Sequence, residues 1–460
     1  MATQEQIDQI MSTQRTFFAT GATIDVDFRI AALRRLQDVI RRREDEINAA
    51  IQRDLGKSPF ESYMCEVGLT LSELAYQLKH VRKWARRHRV RADLANFSSS
   101  CFTIAEPYGQ VLVMSPWNYP FLLTIEPLIG AVAAGNCCVV KPSAYSPATS
   151  DCVASIIAEA FDPAHVTCVL GGREENGILL EQCWDYIFFT GSPTVGKLVM
   201  EMASRNLTPV SLELGGKSPC IITADCDLKL AAMRLAFGKW LNVGQTCIAP
   251  DYVLCEASVH DRFVELLRAA VPAMYGTDAL ANPAYGKIVN RKHFDRVRGL
   301  IDPAKVVYGG RVCEETLQIE PTIMTGVTND DAVMGEEIFG PLCPIIKVAS
   351  VSEAEAFIKA HEKPLALYLF SNNTAVQERF MRHVPFGGGC INDTIVHIAT
   401  SKMGFGGVGN SGMGSYHGLK SFETFSHTKS VLRKHTWIDL TMRYQPYTDA
   451  KAKLVRKFLK

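Results

Sequence analysis

A cysteine attacks carbon only as its thiolate, and an ordinary thiol keeps its proton to a pH of about 8.5. The segment NVGQTCIAPD, residues 242–251, sets Cys247 after Gly244, Gln245 and Thr246 and shortly before Pro250. A backbone that turns tightly at such residues can aim N–H groups at an anion, so Cys247 is a candidate nucleophile. The chain holds 14 cysteines, and a buried core thiol is the ordinary alternative for each of them.

Four further segments hold side chains that could serve a nucleophile. In LELGGKSP, residues 212–219, Glu213 lies in an otherwise apolar run before two glycines. An acid there is costly unless it is paired or used, and burial would raise its pKa toward that of a general base. In SPWNYP, residues 115–120, the Asn118 amide can donate to a developing oxyanion, or simply occupy a turn before Pro120. In FTGSPTVGK, residues 189–197, Gly191, Ser192 and Gly196 flank a strand-to-helix turn whose N–H groups could face a pyrophosphate. The full G-x-G-x-x-G fingerprint is missing, so a plain connection is the alternative. In EEIFGP, residues 336–341, Glu337 could hold a ribose and Phe339 could pack on a ring, or the two could be a solvated acid beside a core aromatic.

These groups need a scaffold. From Gly109 onward, VLVMSP, CCVVKP, HVTCVL, YIFFTGS and PVSLELGG are apolar runs separated by helical stretches. That alternation predicts an α/β fold with a parallel sheet and ligands at the carboxyl ends of its strands, where Asn118, Lys141 and Gly191 would lie. A second α/β region begins near Gly215, with YVLCE, VVYGG, PIIKV and ALYLF as strands. Ahead of both, Leu33, Leu36, Ile40, Ile47 and Ile51 share one helical face that Gly56 would stop, and Val67, Leu71, Leu74 and Leu78 make a second stripe. The run from Arg82 to Arg91 reads as a solvated or subunit-facing surface. The glycine-rich residues 403–414 read as an ordered loop.

Composition narrows the classes. A chain of 460 residues with net charge +1 carries no broad electrostatic footprint for nucleic acid. No C-x-x-C spacing supports a structural metal. The N-terminal MATQEQIDQI is not a signal peptide, which points to reduced thiols in a cytoplasmic setting. The apolar FLLTIEPLIGAVAAGNCCVV contains Glu126 and Pro127 and reads as a buried helix and strand rather than a membrane span. The terminal KAKLVRKFLK reads as a basic tail, with a weak surface-binding helix as the alternative.

Thiol, base, oxyanion donor and dinucleotide site together fit one reaction: thiol addition to an aldehyde, hydride transfer, then hydrolysis. LELGGKSP, GQTC, EEIFGP, PWNYP and FTGS also resemble the aldehyde dehydrogenase superfamily in order and spacing. GKSPC and the late GFGGVGNSGMGSYHGLKSFETFSH resemble its class 3 branch. The resemblance implies the aldehyde dehydrogenase fold: a Rossmann-like coenzyme domain (1–85 and 105–210), an α/β catalytic domain (211–416), a small oligomerisation arm (86–104 and 417–445) and a tail (446–460). It implies Cys247 as nucleophile, Glu213 as base for the deacylating water, and Asn118 with the Cys247 N–H as oxyanion hole. It also implies NAD or NADP held by Lys141, Gly191, Ser192, Gly196, Glu337 and Phe339, no metal, and a homodimer without a transmembrane segment. In the dimer, NFSSSCFTIAE would be an exposed strand seeking a partner.

Two other readings keep the fold: an enzyme passing the acyl group to coenzyme A, and a non-catalytic structural protein. Glu213 favours hydrolysis over the first, and the intact Cys247, Glu213 and Asn118 speak against the second. Trp240, Leu241, Tyr119 and Ile248 beside the motifs predict an apolar channel for medium-chain aliphatic or aromatic aldehydes. Where many members of the family read KPSE, this chain reads KPSAYSP, with Ala144 in place of the ribose-binding glutamate. Lys141 remains, so NADP should serve at least as well as NAD.

Overall fold

Parallel strands covered on both faces must be apolar throughout. In the computed structural model, which describes residues 2–459, QVLVM and CCVVK are wholly buried strands, Gln110–Met114 and Cys137–Lys141. They join Val166–Cys168, Tyr186–Gly191, Val210–Leu214 and the short Gly412–Met413 in a six-stranded sheet. Gln110–Met114 lies inside the sheet, with the next two strands in sequence on one side and Tyr186–Gly191 and Val210–Leu214 on the other. The order reverses between Gln110–Met114 and Tyr186–Gly191, so a crevice forms beyond their carboxyl ends. Ser192 follows one of those ends directly, and Asn118 follows the other after three residues.

The glycine-rich loop is more than a connection. Gly412–Met413 runs antiparallel to Val210–Leu214 and sets Gly412 opposite Glu213. Only glycine fits there, because a Cβ on Gly412 would stand 2.1 Å from the Leu212 carbonyl oxygen. Val210–Leu214, which the expected boundary at 210–211 divides, thus belongs to the first sheet.

The second sheet has seven strands, in the order Val306–Tyr308, Thr322–Thr325, Leu342–Val348, Tyr252–Glu256, Pro219–Ile222, Ala366–Phe370 and Gly388–Ile391. All neighbours are parallel except the first pair. Cys247 lies in the connection between helix Leu228–Trp240 and strand Tyr252–Glu256.

The N-terminal stripe is not one helix. Leu33, Leu36, Ile40, Ile47 and Ile51 are all buried, but the chain breaks at Arg43 (φ −107°, ψ 19°) into Val26–Arg42 and Glu44–Leu55. At the break the Arg43 guanidinium binds Glu46 at 2.7 Å and Glu159 at 3.3 Å. Gly56 ends the second helix with φ +70°. After the short helix Pro59–Ser62, helix Gly68–Trp84 buries Leu74 and half-buries Leu71 and Leu78, while Val67 closes a π-helical turn.

The strand expected to seek a partner already has two. Ser99–Pro107 is the middle of a three-stranded antiparallel sheet, between His88–Val90 and Ser426–Lys434. The longer of its two edges is Ser426–Lys434, most of whose residues are exposed. Beyond it, Asp449–Phe458 forms a helix capped by Thr448. No helix of the described residues is long and apolar enough to cross a membrane.

Candidate active site

Two cavities meet at Cys247. One, of about 230 Å³, is lined mainly by apolar side chains that include Leu69, Leu122, Phe237, Ile395 and Phe405. The other, of about 270 Å³, lies over the crevice of the first sheet and is lined by Trp117, Asn118, Gly191, Ser192, Glu337 and Phe339, among others. Cys247, Glu213 and Thr190 line both. A substrate and a cofactor entering from opposite sides would therefore meet at the thiol and the carboxylate.

The turn before Cys247 is set by two residues in left-handed conformation, Asn242 (φ +51°) and Val243 (φ +56°). It is tied down by Gln245, whose amide donates to Lys287 O at 3.0 Å and accepts Val289 N–H at 3.0 Å. Burial pushes the Cys247 thiol up to about 12, and the nearby Glu337 and Glu213 add to the shift; the Cys247 and Ile248 N–H groups act against it. The N–H groups expected at the turn are present. Burial outweighs them, so near pH 7 the sulfur is a protonated thiol.

Glu213 is buried in its strand and neither carboxylate oxygen has a hydrogen-bond partner. Burial alone holds its pKa well above the usual carboxylate range. A buried acid without a partner, facing a cavity, is placed to exchange a proton with a molecule bound there. Asn118 follows strand Gln110–Met114; its Nδ2 donates to Gln245 O at 3.1 Å, within the Cys247 turn. An amide nitrogen has two hydrogens, and this bond uses one. The Tyr119 hydroxyl meets Thr246 Oγ1 at 2.6 Å, so a second bond links the two segments.

On the crevice side, Ser192 caps helix Pro193–Ser204, its Oγ accepting Val195 N–H at 3.4 Å. The positive end of that helix faces the cavity. Glu337 is half-buried, Oε1 has no partner, and burial with the nearby Asp251 raises its pKa to about 8. Its loop is fastened by Asp251: Oδ1 accepts Ile338 N–H at 2.8 Å, and Oδ2 binds Lys217, which also donates to Glu336 O at 2.7 Å. The last residue of NVGQTCIAPD thus anchors the acid opposite the thiol. Phe339 (φ +46°) stands edge-on to Trp117 at 5.3 Å between ring centres.

Three expected residues lie elsewhere. Lys141 is buried, lines neither cavity, and donates to Pro142 O at 2.7 Å. Gly196 lines neither cavity; it lets its helix approach the sheet, since a Cβ would stand 2.7 Å from Leu214 Cδ2. Trp240, expected at the channel, is buried in the core with its indole N–H on Pro341 O at 2.8 Å. Leu241, Tyr119 and Ile248 do line the apolar cavity.

Some lining residues carry no signal in the sequence. Glu126 and His417 are buried in the wall of the apolar cavity, with Oε1 and Nε2 3.6 Å apart. Burial raises the first and lowers the second to about 3, so both are neutral near pH 7. His293 and Arg296 line the crevice, and Arg296 donates to Glu337 O at 3.2 Å and Ile338 O at 2.7 Å. Among the described residues no group of three or more histidine, cysteine or acidic side chains could hold a metal ion.

Residues 1–431 match the model of the aldehyde dehydrogenase family. The chain is 43% identical to 4,4'-diaponeurosporen-aldehyde dehydrogenase of Staphylococcus aureus, covering 99% of each chain. It is 46% identical to the dimeric NADP-preferring aldehyde dehydrogenase of Rattus norvegicus, covering 93% of this chain and 94% of the relative. A solved structure titled as the substrate-bound state of Staphylococcus aureus AldH superposes with a TM-score of 0.97 at 42% identity, covering 100% of both chains.

Proposed function

Since the chain belongs to the aldehyde dehydrogenase family and is an enzyme that oxidises aldehydes to acids with NAD or NADP, we propose that Cys247, Glu213 and Asn118 carry its chemistry. The observation that carries this reading is the placement of Cys247 and Glu213 where the two cavities join. The crevice suits a dinucleotide: it offers the unpartnered Glu337 Oε1 to a ribose hydroxyl, the N-terminus of helix Pro193–Ser204 near Gly191 and Ser192 to a pyrophosphate, and Phe339 to a ring. Bound there, NAD(P)+ supplies the hydride acceptor. Lys141 would serve the adenosine end and Gly196 the helix packing behind it.

The Cys247 thiol releases its proton to water in the cavity, the thiolate attacks the aldehyde carbon, and the carbonyl oxygen becomes an oxyanion. Asn118 Nδ2 and the Cys247 N–H receive it as donors fixed in advance near the developing charge. Loss of hydride leaves a thioester on Cys247. Glu213, as its carboxylate, then takes a proton from water, the resulting hydroxide attacks the thioester, and the acid departs as that proton passes to the Cys247 sulfur and restores the thiol. A water-activating base favours hydrolysis over transfer to coenzyme A.

The lining of the cavity favours apolar aldehydes, medium-chain aliphatic or aromatic. We further propose a cytoplasmic homodimer, in keeping with 14 free thiols and the exposed edge Ser426–Lys434; coenzyme-binding, catalytic and arm regions follow the two large sheets and the three-stranded one. Aldehyde-dependent reduction of NAD(P)+, measured with and without coenzyme A, tests the whole reading. Cys247→Ala should abolish it and keep cofactor binding; an active Cys247→Ala, or an absolute need for coenzyme A, refutes it.

A further inference from the structure

Lys57 and Glu66 form an ion pair whose side chains have no exposed surface, and the chemistry above uses neither. Two charges survive such burial only when hydrogen bonds satisfy their remaining donors and acceptors. Here those bonds converge on one segment. Lys57 Nζ donates to Glu66 Oε1 at 2.6 Å and to the Asn118 carbonyl at 3.0 Å, and lies 4.0 Å from the centre of the Tyr119 ring. Glu66 Oε2 accepts Phe121 N–H at 2.9 Å and Leu122 N–H at 3.2 Å, amides at the start of helix Leu122–Ala134 that have no acceptor within it. The pair thus grips the main chain from Asn118 to Leu122.

The Asn118 carbonyl takes a second bond, from Asn242 Nδ2 at 2.7 Å, and Asn242 N–H in turn donates to Glu61 Oε1 at 2.9 Å. The Asn118 main chain is therefore held from both the Lys57 side and the Cys247 turn, while its side chain bonds to that turn.

We propose that Lys57, anchored by Glu66, is a positioning residue for aldehyde oxidation: it fixes the Asn118 main chain so that Nδ2 is preorganised toward the oxyanion. The inference rests on the oxyanion role of Asn118. One such donor is worth about 10²–10³ in rate, and a misplacement of about 1 Å can cost about 10²-fold.

The test is a mutant cycle on the first-turnover rate of NAD(P)H formation. Lys57→Met/Glu66→Gln removes the bond to Asn118 O, and the glutamine oxygen still accepts the two helix amides. The rate should fall by about 10- to 100-fold, with the cofactor Kd unchanged within about twofold. In an Asn118→Ala background the same pair of substitutions should lower the rate by less than about threefold, since no donor remains to position. An equal loss in both backgrounds overturns the positioning role, because damage not routed through Asn118 would multiply. No loss in the native background also overturns it. Asn118→Ala alone leaving the rate unchanged overturns the oxyanion role instead, and the inference with it. Should the double variant not fold, Glu66→Gln alone gives the cycle in milder form. It weakens the anchor of Lys57 and keeps the helix cap, so the rate should fall threefold or more in the native background and stay constant in Asn118→Ala.

Discussion

Glu337 lies directly over Gly215: a Cβ on that glycine would stand 2.0 Å from Oε2 and 2.8 Å from Oε1. The residue that follows the strand of Glu213 is thus the seat of the acid assigned to the ribose. Gly215→Ala should push the Glu337 carboxyl aside without unfolding the protein, because the obstacle is the end of a flexible side chain. A hydrogen bond from a largely protonated carboxyl is worth about 0.5–1.5 kcal/mol, so the Kd for NAD(P)+ should rise about two- to tenfold. Fluorescence titration with NAD(P)H and calorimetry with NAD(P)+ would measure it. Unaltered affinity would remove Glu337 from the cofactor site.

The raised pKa of Glu337 has a consequence for stability in the cofactor-free enzyme. Its carboxyl titrates at about 8 when folded against an ordinary 4.5, so between those values the folded protein binds more protons than the unfolded chain. The contribution is fully present below about pH 4.5 and is lost as pH rises through about 8. Glu337→Gln carries no such dependence. Its stability relative to the parent should climb through this window, by at most about 1.4 kcal/mol per pH unit, and level off above it. Urea unfolding of both proteins at half-unit steps from pH 5 to 9 provides the check; parallel profiles would show that the group titrates normally.

Glu213→Gln should separate the two halves of the reaction. The amide keeps the shape of the side chain and loses the base, so hydride transfer proceeds and deacylation stalls. Rapid mixing should show one NAD(P)H per active site followed by a steady state slowed by about 10²–10⁴-fold. Mass spectrometry should find the acyl group on the peptide containing Cys247. A strong external nucleophile such as hydroxylamine should restore turnover. A first turnover slowed as much as the steady state, with no rescue, would take the base role from Glu213.

What the sequence disclosed and what it hid have distinct physical causes. Strands such as Gln110–Met114 and Ala366–Phe370 were legible because a strand covered on both faces must be apolar at every position. Gly56 was legible because a helix stop in left-handed conformation is a local matter. Contacts remote in sequence were not. The partner of Ser99–Pro107 is Ser426–Lys434 at the far end of the chain; alternation marks a face of a strand and never names its neighbour. Lys57 and Glu66 were silent for the same reason: nothing near them in sequence says that their charges meet beneath Asn118. Cys247 and Glu213 were legible as candidates from their neighbours, but their meeting at two cavities belongs to the fold.

Cofactor choice should follow charge at the end of strand Cys137–Lys141. Ala144 is exposed on the loop beyond this strand and supplies no carboxylate to repel a 2′-phosphate. Lys141 is the cation within the same turn of chain, and burial lowers its pKa to about 8, with Cys168 and Glu175 opposing the shift. Its ammonium must leave the Pro142 carbonyl to reach a phosphate. At an effective dielectric near 20, a pair of unit charges about 4 Å apart is worth up to about 4 kcal/mol before screening and desolvation. A quarter of that changes a ratio of rates several-fold. NADP should therefore be used at least as well as NAD, and Ala144→Glu should move the ratio of kcat/KM values toward NAD by about fivefold or more. The pH dependence has a definite sign. A phosphate of this kind is already largely dianionic at pH 7, with a second pKa of about 6, so the titrating partner is Lys141. Its charge is present below about 8 and lost above, and the NADP-to-NAD ratio should fall between pH 7 and 9. Because kcat/KM reports the free enzyme, the midpoint should lie near 8. Lys141→Met should lower the ratio and flatten its pH profile. Strict dependence on NAD in the parent enzyme, or a ratio indifferent to pH, to Ala144→Glu and to Lys141→Met, would place the determinant of cofactor choice on other residues.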